Sequence, residues 1–108
     1  MNELSALQRT RKALAEIKPP DPPAHLSKKM KEFWRGVFEI KTLQSHEVLI
    51  LVKACECHDR AEQARRILKK QGLTYEDRFK QPRSRPEVAI ERDNKALFAK
   101  LLGQDSFA

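Results

Sequence analysis

The sequence predicts an oligomeric, all-α fold: an antiparallel helical hairpin with a long central helix, a short β-hairpin or loop, and a C-terminal helix. Three observations predict it. Apolar residues recur at helical spacing over residues 27–71 and 86–102. Serine, proline and glycine stand where those stretches begin and end. Only Leu73-Thr74-Tyr75 has strand-like composition between them. A length of 108 residues suits one domain with a modest core.

Residues 1–17 read as a short basic helix, with Leu4, Leu7, Leu14 and Ile17 as a weak apolar stripe and Arg9, Arg11 and Lys12 between them. A helix this short is marginal in water without a partner. Pro19, Pro20, Pro22 and Pro23 then favour stiff, extended backbone. This divides the chain into a basic N-terminal arm and Pro-rich linker (residues 1–25) and a helical core and oligomerisation domain (residues 26–108).

The core opens at Ser27, a good N-cap. Met30, Phe33, Trp34, Val37 and Phe38 follow at the spacing of one helix face. Thr42 to Ser45 form a short connection, and Ser45 is placed to cap a second helix that ends at Gln71, with Gly72 as its stop. The run Val48-Leu49-Ile50-Leu51-Val52 is apolar all round and is expected to be buried on several sides. Taken alone it also suits a strand, but the apolar pattern continues at Cys55, Ala61, Ala64, Ile67 and Leu68, which favours a helix. A weakly signalled hairpin follows near Glu76-Asp77. Pro86 then suits the first position of a last helix, which is expected to run to Leu102, stop at Gly103 and carry Ile90, Leu97, Phe98, Leu101 and Leu102 as its stripe. The first core helix is too short to reach Ala61, Ala64, Ile67 and Leu68. Either the last helix or a neighbouring subunit must cover them, and they are taken as the oligomerisation surface of a homo-oligomeric ring.

Charge supplies the strongest functional signal. Lys and Arg number 22 against 15 Asp and Glu, a formal net charge of +7. Such a surplus favours polyanions through counterion release, though it does not by itself separate DNA from RNA or an anionic membrane surface. The candidate phosphate contacts fall in three groups: Arg9, Arg11 and Lys12 in the arm; Lys28, Lys29 and Lys31 at the start of the first core helix; and Arg78, Lys80, Arg83 and Arg85 in a segment without an acid. Lys53, Arg60, Arg65, Arg66, Lys69 and Lys70 interleave with Glu56, Asp59 and Glu62 and read as ordinary helix-surface pairing. No helix-turn-helix signature stands out.

Enzyme chemistry finds little footing. The chain has 3 glycines and no Gly-rich phosphate loop. No serine, histidine or acid lies in a recognisable nucleophile context. Cys55, Cys57 and His58 are suitable zinc ligands by type, but residues two apart on a helix point about 200° apart. The chain is therefore expected to be non-enzymatic, with no metal and no cofactor. Two closely spaced cysteines suit a reducing compartment, and neither a signal peptide nor a membrane span is apparent. These features predict a cytoplasmic location and no membrane partner.

Several stretches together resemble one family. Pro22-Pro23-Ala24-His25-Leu26-Ser27 ahead of Phe33-Trp34, then Lys70-Gln71-Gly72-Leu73-Thr74-Tyr75, then Arg85-Pro86-Glu87-Val88-Ala89-Ile90-Glu91-Arg92-Asp93, are similar in order and spacing to the small subunits of tailed-bacteriophage terminases. The resemblance covers residues 20–102. It implies a protein in the cytoplasm of a bacterial host, or a prophage product, that binds double-stranded viral DNA when packaging begins. It further implies a ring that recruits or stimulates the terminase large subunit, which carries the ATPase and nuclease. Two departures stand out: Arg85 occupies a position where the family usually has histidine, and relatives often extend further past the last helix. The residues alone also suit a small DNA-binding transcriptional regulator, or a helical interaction protein whose basic face meets an acidic partner.

Overall fold

The computed structural model describes residues 19–104. Within them lie α1 (Lys28–Ile40), α2 (Ser45–Gln71), β1 (Thr74–Glu76), β2 (Pro82–Ser84) and α3 (Pro86–Gln104). The basic helix expected over residues 1–17, with Arg9, Arg11 and Lys12, lies outside the described residues.

Ser27 caps α1 as expected: its Oγ accepts the Met30 N–H at 3.2 Å. The same serine is held from across the fold, since its own N–H and hydroxyl donate to Asp59 of α2 at 2.8 and 2.6 Å. Trp34 Nε1 donates to the Pro20 carbonyl at 2.9 Å. The proline segment from Pro19 onward therefore lies along α1, beside Trp34 and Phe38.

The cap of α2 is Gln44 rather than Ser45. The Val48 N–H bonds the Gln44 carbonyl at 3.0 Å, and the Gln44 N–H donates to Glu47 Oε1 at 2.9 Å. A glutamate at the third helical position can reach back to satisfy the cap's N–H, and here it decides the start. Gly72 ends α2 with φ of 87°, and its N–H bonds the Leu68 carbonyl at 2.7 Å. That backbone conformation costs glycine nothing.

The core forms where α1 crosses α2. Leu26, Met30, Trp34 and Val37 pack with Leu51 and Cys55, flanked by Phe33, Phe38, Phe98 and Leu102. Trp34 and Phe38 pack as a tilted pair with ring centroids 5.4 Å apart, and Phe33 meets Phe98 of α3 at 6.2 Å. The apolar run at Val48–Val52 is less enclosed than its composition suggests. Leu51 is fully buried, but Leu49 is 69% exposed.

The reason lies in the reach of α3. It runs back along the distal part of α2, with Glu87 and Ile90 beside Ala64 and Ile67, and Phe98 against His58 at 5.3 Å. Among the described residues, nothing equivalent covers Leu49. Small side chains let the two helices approach closely. Ala54, Ala61, Ala64 and Leu68 are buried, and Ile67 is half-buried, within one chain. Of the two covers expected for Ala61, Ala64, Ile67 and Leu68, the last helix is the one present, beside Ala64 and Ile67. On α3 itself, Phe98 and Leu102 pack on the core, while Ile90 and Leu97 stay exposed. The helix starts at Pro86 as expected but continues through Gly103 to Gln104. A glycine weakens a helix by about 1 kcal/mol without forcing it to stop.

The weakly signalled hairpin is present. β1 and β2 are antiparallel, with Thr74 opposite Ser84, Tyr75 opposite Arg83 and Glu76 opposite Pro82. Pro82 opens its strand, a position where the missing N–H is tolerated. Part of the expected Arg78–Arg85 loop is thus strand.

Candidate nucleic-acid interface

The hairpin between α2 and α3 brings the strongest basic group together. Every residue of both strands is exposed. An isolated two-stranded hairpin is marginal in water, so its turn must be well made. Asp77 makes it. Its N–H bonds the Gln81 carbonyl at 3.0 Å, and its carbonyl accepts the Lys80 N–H at 3.0 Å. Its carboxylate accepts the N–H groups of Phe79 and Gln81 at 2.8 and 3.0 Å through Oδ1, and Arg83 Nε at 3.0 Å through Oδ2. These donors hold the Asp77 carboxyl below its ordinary range, the Gln81 N–H first and Arg83 second. At the base of the ribbon the Arg85 N–H bonds the Leu73 carbonyl at 2.9 Å, extending the ladder.

Lys80 has φ of 56°, in the left-handed region. A tight turn followed by one left-handed residue is a common three-residue hairpin connection, and glycine usually fills the left-handed place. Here a lysine does, which puts a cation at the tip.

The four cations differ in setting. Arg83 is paired with Asp77, so the acid just before the basic segment compensates one of its charges. The Arg78 guanidinium lies over the Phe79 ring at 4.8 Å, and that of Arg85 over Tyr75 at 5.8 Å. Leu73, Tyr75 and Phe79 are exposed beside them. Basic groups interleaved with exposed aromatics suit a nucleic-acid surface, where charge meets phosphate and rings meet sugars or bases.

Two further cations belong to this end of the molecule, and sequence reasoning set them aside. Lys69 and Lys70 occupy the last turn of α2, directly before the hairpin. They have no ion pair among the described residues, unlike Arg65, which pairs with Glu62 at 3.1 Å. That pair holds the Glu62 carboxyl below its usual range, chiefly through the Arg65 hydrogen bond. Counting charges along the helix hid the difference between Arg65 and its neighbours.

Lys28, Lys29 and Lys31 are placed apart from the hairpin, at the start of α1. Their end of α1 is tied to the middle of α2 by Ser27–Asp59 and by His25 Nε2 to Glu56 Oε2 at 2.9 Å. Of the three, Lys29 lines an open cleft of about 450 Å³ with Arg66, Glu62 and Asp59. Acids and bases alternate there, so the cleft offers no uniform field to a phosphate.

The cysteines sit on unbroken helix. Cys55 lies in the core, and its thiol is pushed up to about 12, first by burial and then by the charges of Asp59 and Glu56. Cys57 is also buried, and burial raises its thiol too. Among the described residues, no group of histidine, cysteine and acidic side chains is arranged to hold a metal ion. No described helix is long and apolar enough to cross a membrane. The chain matches no protein-family model, no curated protein and no solved structure, so the reading of its interface stands on these residues alone.

Proposed function

We propose that the chain is a non-enzymatic binding protein for double-stranded DNA, of the kind that the small subunits of phage terminases exemplify. In this reading it holds viral DNA when packaging begins and presents it to the large ATPase-nuclease subunit. The observation that carries the reading is the basic pole formed by Lys69, Lys70, Arg78, Lys80 and Arg85, beside exposed Tyr75 and Phe79. Of the two acids in the hairpin, Asp77 is engaged by Arg83 and the turn, and Glu76 is exposed on β1.

Self-association belongs to the same proposal, on a different surface from the one the sequence suggested. Ile40 and Leu49 are 83% and 69% exposed at the α1–α2 end, far along α2 from the hairpin. Assembly through that end leaves the basic pole of each copy free, and repetition multiplies modest phosphate contacts. These two residues are also what favours the second reading, a helical interaction protein.

The test is a fluorescence titration of duplex DNA against salt, with Arg78, Lys80, Arg83 and Arg85 neutralised together. Binding should weaken, and the slope of log affinity against log salt should flatten by about 3, one unit for each of Arg78, Lys80 and Arg85. An unchanged slope removes the hairpin from the interface. Light scattering on Ile40→Ser with Leu49→Ser reports on assembly separately.

A further inference from the structure

We infer that Arg83 reads a guanine edge in the major groove, and that Asp77 is the residue that positions it. The inference rests on the DNA-binding proposal above and names the contact within that same surface.

Three observations point to it. First, the hairpin is a two-stranded ribbon exposed on both faces, and such a ribbon fits the major groove, about 12 Å wide. Second, Arg83 is held through Nε alone. Asp77 Oδ2 accepts that one N–H at 3.0 Å, while the Arg83 side chain remains 62% exposed. The bond tethers the guanidinium at Nε and leaves the two terminal nitrogens without a partner among the described residues. A fork tethered before contact loses less freedom on binding and matches the O6/N7 pair of guanine. Third, the neighbouring cations are set differently. The Arg78 and Arg85 guanidinium groups lie over aromatic rings, and Lys80 is a point charge at the tip. Lys80 suits a phosphate, which needs charge without a fixed plane, and of the three arginines only Arg83 is held by a carboxylate. Tyr75, directly across the ladder from Arg83, adds an exposed ring beside the fork.

The experiment uses the full chain and a pool of duplexes randomised over a short window. The wild-type protein should enrich guanine at a fixed position. Arg83→Lys keeps the charge but has no fork, so it should bind the bulk pool within about two-fold while the guanine preference falls on the order of ten-fold. Asp77→Asn keeps an amide oxygen for the turn but places nitrogen where Arg83 Nε needs an acceptor, and it should lose the same preference. Replacing the enriched guanine with 7-deazaguanine removes the N7 acceptor. It should weaken the wild type and leave Arg83→Lys unchanged. An Arg83→Lys protein with the wild-type preference overturns the inference, as does a wild-type protein that binds duplexes without preference. The DNA-binding proposal survives both results. Failure of the wild type to bind any duplex at low salt removes that proposal and the inference with it.

Discussion

Asp59, in the middle of α2, accepts both the backbone N–H and the hydroxyl of Ser27 at 2.8 and 2.6 Å. Ser27 in turn caps α1 by accepting the Met30 N–H. The first turn of one helix is thus fastened to the side of another through a single serine. Ser27→Ala should cost about 1–2 kcal/mol, as loss of a cap does. Asp59→Ala should cost a similar amount. Because both changes break the Ser27 Oγ–Asp59 Oδ1 bond, the double variant should cost less than the two together. Urea unfolding midpoints of the four proteins check this. Full additivity would show that the two residues act independently.

The α2–α3 contact depends on small side chains. Ala61 and Ala64 are buried, and Ala64 lies beside Glu87 and Ile90 of the last helix. Ala64→Leu should therefore destabilise the fold by about 1–3 kcal/mol through overpacking. The mass in solution should not change. A variant that melts normally but shifts the oligomeric state would return this strip to the subunit interface.

Lys80 occupies a place in the turn that suits glycine. Left-handed backbone costs a residue with a side chain about 1–2 kcal/mol. Lys80→Gly should slow amide exchange of Phe79 and Gln81, whose N–H groups are tied to Asp77. It should also lower the salt dependence of DNA binding by about one phosphate contact. Faster exchange in the variant would contradict the account of the turn.

The Asp77 carboxyl is held below its ordinary value of 3.8. A carboxyl depressed in the folded state contributes stability that is complete above its unfolded value and is lost as pH falls through the folded one. The hairpin should therefore be indifferent to pH above about 4 and should open as pH falls below 3.8. Chemical shifts of the Phe79 and Gln81 amides would follow the transition. In Asp77→Asn that transition should vanish.

Cys55 is fully buried, with its thiol raised from 9.0 to about 12. A thiol reagent at pH 8 should label it only after unfolding. The sign for stability is the reverse of that for Asp77. The folded state keeps the proton that the unfolded chain releases, so the contribution is intact below pH 9 and declines as pH rises towards 12. Rapid labelling of native protein would place the thiol outside the core.

The helices were legible because periodicity, Ser27, Gly72 and Pro86 all agree, and each occupies the place expected of it. What failed were contests between local signals and partners farther away. Ser45 is a better cap than glutamine by type, but Glu47 serves Gln44. Leu49 looks like core, but neither helix reaches it. Ala61, Ala64 and Leu68 were seen to need a cover, and sequence spacing does not tell an intramolecular helix from a neighbour. The hairpin was faint for a definite reason: its left-handed position carries lysine, and an aspartate side chain closes the turn that glycine usually marks. The four cations of the hairpin segment were visible as a run, but that Arg83 alone among them is paired with an acid depends on Asp77 folding back, which spacing does not encode.

The hairpin leaves all of its strand residues in solvent and makes its bonds mainly to itself. Packing therefore exerts little selection on what those positions contain. If the proposed DNA contact holds, substitutions at Tyr75, Phe79 or Arg83 should alter target choice while the melting temperature of the helical body stays put. A segment insulated in this way can diversify quickly, and grafting a different ribbon between Gly72 and Pro86 should redirect binding without redesigning the scaffold.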